Sequence, residues 1–473
     1  MTAIKRISLL VGAATLTLTG GSFADTSADV QNDELRARIA ELEGRLANVE
    51  AQSSDNWLTE QRAGEIRNLV EDVLADADTR SSMLSQGMTA GYDNGAVIAS
   101  SDGNWLLRTN LLLQTRFVYN NMEDTGSNLG GASVDSTRYG FEVTRARFML
   151  SGNIVSPEWF YRVDIETSGN AAGAGTDART GVLDAYSGYD FGNGWKVYGG
   201  QFKVPFLFEE LVESQYQQAV ERSVVNYLYT GGYTQGLALD YLGDQFHLVV
   251  SLNNGFGGAA GVATNQGALT ADTEIAFSAR GEWLAMGTWD QFKDITSPQG
   301  EEMGMRVGAA LHYQTSESGV SGSAKVDSTA LTADVSVEFG GANIYGQINY
   351  AKLDGAGGLP DAQPWGIVLG GGYYVTEDWE LFGRYEWSDQ SITTAPLVSG
   401  SRADNLSIFT IGVNKYFSGH NAKWSTDVSV GLDNVQTDLG TPGTSLAPVT
   451  GFRNDIVGED GQIVIRTQLQ ILF

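Results

Sequence analysis

From Ile463 onward the chain alternates apolar and polar positions. Ile463, Ile465, Thr467, Leu469, Ile471 and Phe473 form one set, and Arg466, Gln468 and Gln470 fall between them. Successive side chains of a strand point to opposite faces, so this stretch predicts a strand with one apolar and one polar face. Leu107 to Tyr119 repeats the pattern: Leu107, Thr109, Leu111, Leu113, Thr115, Phe117 and Tyr119 interleave with Arg108, Asn110, Gln114 and Arg116. Comparable segments lie near 141–152, 158–168, 181–191, 194–203, 235–242, 245–253 and 273–285. Others lie near 303–315, 327–339, 342–354, 364–375, 379–390, 404–417, 423–436 and 461–473. The total is about sixteen, within the even strand numbers of single-chain membrane barrels.

The connections alternate in length. Short turns fall at Val155–Pro157, Gly192–Gly194, Gly243–Asp244, Gly340–Gly341, Thr376–Asp378 and Ser418–Asn421. Long loops fall at about 120–137, 169–180, 204–234, 254–272, 316–326, 355–363, 391–403 and 437–460. Short turns on one rim and long loops on the other are an outer-membrane arrangement. The 286–302 connection is long yet belongs to the short-turn rim. Lipid-facing rows are expected at Leu331–Phe339, at Trp379, Leu381, Tyr385 and Trp387, and at Trp424–Leu432, with Trp and Tyr near the interfaces. A soluble β-rich surface protein is the alternative, but no repeat of fixed spacing supports it.

The N-terminus reads differently. Lys5 and Arg6 precede the apolar run Ile7–Leu18, and Ser22-Phe23-Ala24 follows. Residues 1–24 therefore read as a secretory signal peptide. Beyond it no apolar run reaches the ~18 residues of a membrane helix, which leaves a closed barrel as the way to span a bilayer. Within 25–56, Leu35, Ile39, Leu42, Leu46 and Val49 follow heptad spacing among charged neighbours, predicting a short coiled coil. It is too short to be stable alone and is expected to associate with its own copies; a solitary amphipathic helix is the alternative. Residues 57–101 read as a helical and linker segment, with a second helical stretch near Glu60 to Met83 that carries Ile66, Leu69, Val70, Val73 and Leu74 in another phase. Gly87, Gly91 and Gly95 then read as a flexible approach to a barrel over 102–473. Because the first strand starts on the short-turn rim, the stalk is expected in the periplasm. The fold class is thus all-β: an antiparallel transmembrane barrel with an α-helical coiled-coil stalk.

Composition narrows the function. The 473 residues include 59 Gly and only 8 Pro, suited to turns and barrel bends. The chain has no Cys, which removes thiol chemistry and cysteine metal sites. No cofactor or metal is expected. A net charge of -28 argues against nucleic acid as a partner.

The inward faces carry the charge. Arg108 and Arg116 lie on the first strand, Arg145 and Arg147 on the second, Arg162 on the third, and Arg466 on the closing strand; Arg280, Arg306 and Arg384 lie elsewhere. An Arg facing lipid at mid-membrane would cost ~2–4 kcal/mol, so these are expected to line the pore. Their partners are a shared anion-guiding field or neighbouring acids such as Asp164, Glu166, Glu338, Glu380 and Asp427. The longest loop, 204–234, carries Glu209, Glu210, Glu213 and Glu221, with Lys203 at its start and Arg222 within it. Folded inward as a constriction, this acidic loop would face the basic wall and set up a transverse field. Folded outward, its acids would face water.

The segment Gly200-Gln201-Phe202-Lys203-Val204-Pro205-Phe206, followed by Glu209-Glu210-Leu211 and Glu221-Arg222-Ser223, resembles the phosphate-selective porin O and P family, as do Arg145-Ala146-Arg147 and the closing Phe473. The likeness covers about 102–473. It implies a sixteen-stranded homotrimeric outer-membrane porin, some members being selective for phosphate or polyphosphate. It also implies Lys203 and Arg222 as constriction residues and Phe473 as a signal for barrel assembly. The acidic loop and scarce lysines depart from the basic lining of phosphate-selective members.

The leading reading is a passive channel for small hydrophilic solutes and ions in the outer membrane, anions such as phosphate among them, and not an enzyme. Partners are then outer-membrane lipid, two further copies, and peptidoglycan or periplasmic proteins at the stalk. A tether to the cell wall with an incidental pore is the second reading. An outer-membrane hydrolase is the third, resting on His247 sharing a face with Ser251; His312 and His420 complete the histidines.

Overall fold

The computed structural model describes residues 37–38, 40–45, 87–122, 135–168, 179–256, 273–316, 326–354, 361–389, 405–433, 435, 450–453 and 461–473. The expected signal peptide, most of the expected heptad seam, the expected second helical stretch and the centres of several long loops lie outside the described residues. Residues 37–38 and 40–45 are helical and exposed, with Arg45 paired to Glu41 at 2.9 Å.

Among the described residues, 18 strands form one antiparallel sheet. Its first two, β1 (Met88–Tyr92) and β2 (Ala96–Ser100), form a hairpin. The others are β3 (Leu106–Asn121), β4 (Thr137–Ile154), β5 (Ser156–Ser168), β6 (Arg179–Gly192), β7 (Trp195–Lys203), β8 (Tyr233–Leu242), β9 (Phe246–Asn253) and β10 (Thr273–Met286). They continue as β11 (Gly304–Ser316), β12 (Val326–Glu338), β13 (Ala342–Leu353), β14 (Trp365–Thr376), β15 (Trp379–Asp389), β16 (Asn405–Ser418), β17 (Ala422–Gly431) and β18 (Ile463–Leu472). Each pairs with its sequence neighbour, and β18 closes on β3, from Ile463 opposite Asn121 to Leu472 opposite Leu112. The sheet order thus closes the last sixteen strands into a barrel, as the alternation predicts.

The closing strand shows why the pattern works. Ile463, Ile465, Leu469, Ile471 and Phe473 are exposed to the outside, where lipid would lie, while Val464, Arg466, Gln468, Gln470 and Leu472 are buried inside. The predicted row Leu331, Val335 and Phe339 is likewise exposed outward.

Three findings correct the sequence reading. The glycine-rich approach is not a bare linker: Asp93-Asn94-Gly95, with Asn94 and Gly95 at φ 47 and 140, turns the β1–β2 hairpin. After Phe473 exchanges backbone bonds with Leu111 (2.6 and 3.0 Å), the remaining edge of β3 pairs with β2, Ala96 opposite Thr109. Backbone groups on an open barrel edge need partners, and the hairpin supplies them. Second, the long connection on the short-turn rim folds inward, burying Phe292, Ile295, Thr296 and Ser297. Third, the lumen wall is not polar throughout. Ala310, Ala330, Tyr345, Val368, Leu406, Ile408 and Val464 face inward and form an apolar dock.

Candidate functional site: the constriction loop

The loop between β7 and β8 enters the lumen. Val204, Phe206, Leu207, Phe208, Val212, Val224 and Val225 pack on that dock, each apolar side chain contributing ~1.5–3 kcal/mol by leaving water. Two short helices, Phe208–Leu211 and Val224–Tyr229, shape it. Ser223 caps the second by accepting from the Asn226 amide at 2.9 Å. The tip is tied to the wall through its carbonyls: Lys423 donates to Gln217 at 2.7 Å, Asn414 to Gln218 at 2.8 Å and Gln470 to Gln215 at 3.1 Å. On the short-turn rim, His420 Nδ1 lies 3.1 Å from the Gln215 carbonyl oxygen and its Nε2 lies 3.4 Å from Asp294 of the inward-folded turn.

The loop carboxylates meet the predicted arginines directly. Glu221 accepts from Arg145 at 2.7 Å and from Arg116 at 3.3 Å, and Arg116 also pairs with Glu142. Glu213 accepts from Arg162 (3.0 Å), Arg147 (3.1 Å) and Lys203 (3.3 Å). Wall acids complete the set: Arg147 donates to Glu166 at 2.9 Å and Arg162 to Asp164 at 2.7 Å. Burial works to raise the Glu221 carboxyl, but the Arg145 and Arg116 guanidiniums overrule it and hold it at about 2. Burial is likewise outweighed at Glu213, where Lys203, Arg162 and Arg147 hold the carboxyl well below its ordinary range. Both stay ionised, so the loop sets its negative charge against the positive wall at contact distance.

The other predicted residues have different settings. Arg222 is buried and donates to the loop's own carbonyls, Val212 at 2.7 Å and Glu209 at 3.1 Å; it staples the loop rather than facing the passage. Lys203 likewise donates to the Glu210 carbonyl at 2.9 Å, besides its pairing with Glu213. Glu209 accepts from the Ser223 amide at 2.7 Å, and Glu210 from Asn226 at 2.7 Å. Arg108 pairs with Asp93 of the hairpin at 2.6 Å, away from the constriction. Arg466 donates to Asp427 at 2.7 Å, and Asp427 also accepts from the Val220 amide of the loop at 3.0 Å.

Sequence reasoning missed Asp334 and Glu282, which bind Arg280 and Arg306 at 2.7–3.0 Å, and Glu386, which binds Arg384 at 2.9 Å. Their inward parity beside a predicted Arg is the signal that marks them. Arg306 also stacks 3.5 Å above the Phe208 ring. His247 does not address Ser251: its ring nitrogens lie 3.0 Å from Asp240 and 3.0 Å from Glu282, and the Ser251 hydroxyl accepts from Asn253.

A model of the family described as phosphate-selective porin O and P matches residues 120–426. No curated protein sequence matches. Among solved structures, the backbone is similar to OmpT of Vibrio cholerae (TM-score 0.49, 13% identity, 78% of this chain and 98% of that one). It is similar to an anion-selective porin from Comamonas acidovorans (TM-score 0.46, 13% identity, 78% and 99%). It is also similar to the outer-membrane channel DcaP of Acinetobacter baumannii (TM-score 0.49, 11% identity, 77% and 97%).

Proposed function

The chain belongs to the phosphate-selective porin O and P family and is an outer-membrane porin, and we propose that its passage is a weakly selective diffusion path for small hydrophilic solutes rather than a phosphate filter. The observation that carries this reading is the pairing of Glu213 and Glu221 with Arg116, Arg145, Arg147, Arg162 and Lys203. A phosphate filter needs cations with donors to spare; here each of these cations already faces a carboxylate. Glu213 and Arg162 are half-buried and edge the passage, whereas the Lys203 side chain is buried and, like Arg222 and Glu209, belongs to the loop's frame.

The working unit is a homotrimer, its N-terminal segment lies in the periplasm, and the heptads of residues 35–49 join the three copies there, within reach of peptidoglycan. The seam's spacing and its short length support this arrangement. Purified full-length protein in a planar bilayer is expected to give conductance steps grouped in threes. Millimolar phosphate is expected to leave a chloride current unblocked. Insertion without conductance overturns the porin reading, and saturable phosphate block overturns the proposed selectivity.

A further inference from the structure

Water-filled barrels carry polar lumen walls. On β5–β7, toward the short-turn rim, this wall is aromatic. Register places the rings together on the lumen face: Phe160 and Tyr198 both pair with Gly188, and Tyr186 pairs with Arg162 and with Gly200. The Tyr186 and Tyr198 centroids lie 5.1 Å apart, with Phe160 6.5 Å from each. Phe202, itself buried with Ala238 and Val249, backs the strip 5.2 Å from Tyr198. Gly188 makes the cluster possible, because a Cβ there would lie 2.5 Å from the Phe160 ring and 2.3 Å from the Val197 carbonyl oxygen. Phe160, Tyr186 and Tyr198 are half-buried and keep part of their surface open although every strand around them is paired. Among the described residues, no hydrogen bond engages the Tyr186 or Tyr198 hydroxyl.

Polar groups of both signs frame the strip. Arg162 lies beyond it toward the constriction, its side chain 29% exposed. On the rim side, Lys196 stands 3.5 Å from Asp190 and 5.9 Å over the Phe160 ring. Asp240 and His247, 3.0 Å apart, face the lumen on the adjoining strands.

We propose that this strip is a stacking subsite for a pyranose sugar in transit, an inference that rests on the chain being a conducting porin. The C–H face of a pyranose is apolar and covers aromatic faces, while its ring hydroxyls both donate and accept. The strip supplies the faces; the two tyrosine hydroxyls, Lys196 and Asp190 supply the edges. Inorganic anions fit poorly, because Arg162 is held by Asp164 (2.7 Å) and Glu213 (3.0 Å) and Lys196 by Asp190. Aromatic carboxylates would have to approach Asp184, Asp190 and Asp240.

The test is ion current through the full-length protein in a planar bilayer, titrated separately with maltotriose, sorbitol and sodium benzoate. Maltotriose is expected to block saturably, sorbitol to change the current only linearly with viscosity, and benzoate to block more weakly than the sugar. Tyr198→Ala is expected to weaken the maltotriose block about tenfold, the loss of one stacked ring, while single-channel conductance in plain salt changes little. Tyr186→Phe, which keeps the ring and removes only a hydroxyl, provides a milder variant should the first fail to assemble; it is expected to weaken the block severalfold. A conducting protein with no saturable maltotriose block overturns the subsite and leaves the porin reading standing. A benzoate block tighter than the sugar's overturns the sugar assignment. A protein that inserts and never conducts overturns the porin reading itself.

Discussion

Arg116, Arg145, Arg147 and Arg162 of β3–β5 and Arg280 and Arg306 of β10 and β11 all lie against carboxylates, but the carboxylates come from different places. Arg280 and Arg306 are neutralised from within the wall, by Asp334 and Glu282 on the same and neighbouring strands, and the loop adds only the Phe206 carbonyl and the Phe208 ring. Arg116, Arg145, Arg147 and Arg162 depend on the loop, which supplies Glu213 and Glu221 alongside wall acids such as Glu142, Glu166 and Asp164. One arc of the lumen is electrically complete as a sheet. The other is completed by a loop, so its charge can be changed without touching a strand.

The largest effect should come from removing that loop. Replacing residues 207–229 with a short Gly-Ser linker takes away four carboxylates, Glu213 and Glu221 among them, together with Arg222 and the plug, so conductance should rise severalfold and reversal potential in a KCl gradient should move toward anions. A wider channel with unchanged ion preference would show that the β3–β5 wall is neutral by itself. On the other arc, Asp334→Asn strands two buried guanidiniums and should cost about 3–5 kcal/mol, read as a lower urea midpoint for the folded barrel in detergent. A midpoint within error of the parent would mean that Glu282 alone suffices. The smallest effect is set by pH. The folded Glu221 carboxyl at about 2 lies below its ordinary 4.5, so its contribution is complete above that value and lost as pH falls through the folded pKa. Single-channel noise from a loosened loop should therefore grow between about pH 4.5 and 2 and stay flat above.

The barrel was legible because lipid enforces a period of two on every strand, and the alternation of short and long connections gave the two rims. Bulges blur that reading locally. In β4, Gln114 faces Arg145 while Thr115 faces Val143, so Thr144 is extra, and Glu142 and Arg145 both turn inward where simple parity would separate them. The dock at Val368, Leu406 and Ile408 was hidden for a related reason, since an apolar lumen position reads like a lipid position until the loop that covers it is known. The hairpin was misread because its glycines suggested freedom, whereas Asp93-Asn94-Gly95 between two short alternating segments is a turn signature. Choosing which carboxylate meets which arginine required the path of the loop, and no periodicity encodes that path.

Reversal potential across a KCl gradient, compared between the parent and Glu213→Gln/Glu221→Gln, tests the central claim most directly. The double variant keeps the loop's length and its apolar dock and removes two negative charges from the β3–β5 arc. The parent is expected to discriminate weakly between potassium and chloride, and the variant to become clearly anion-selective and open to block by phosphate. Identical reversal potentials for the two proteins, with both channels conducting, would contradict the account.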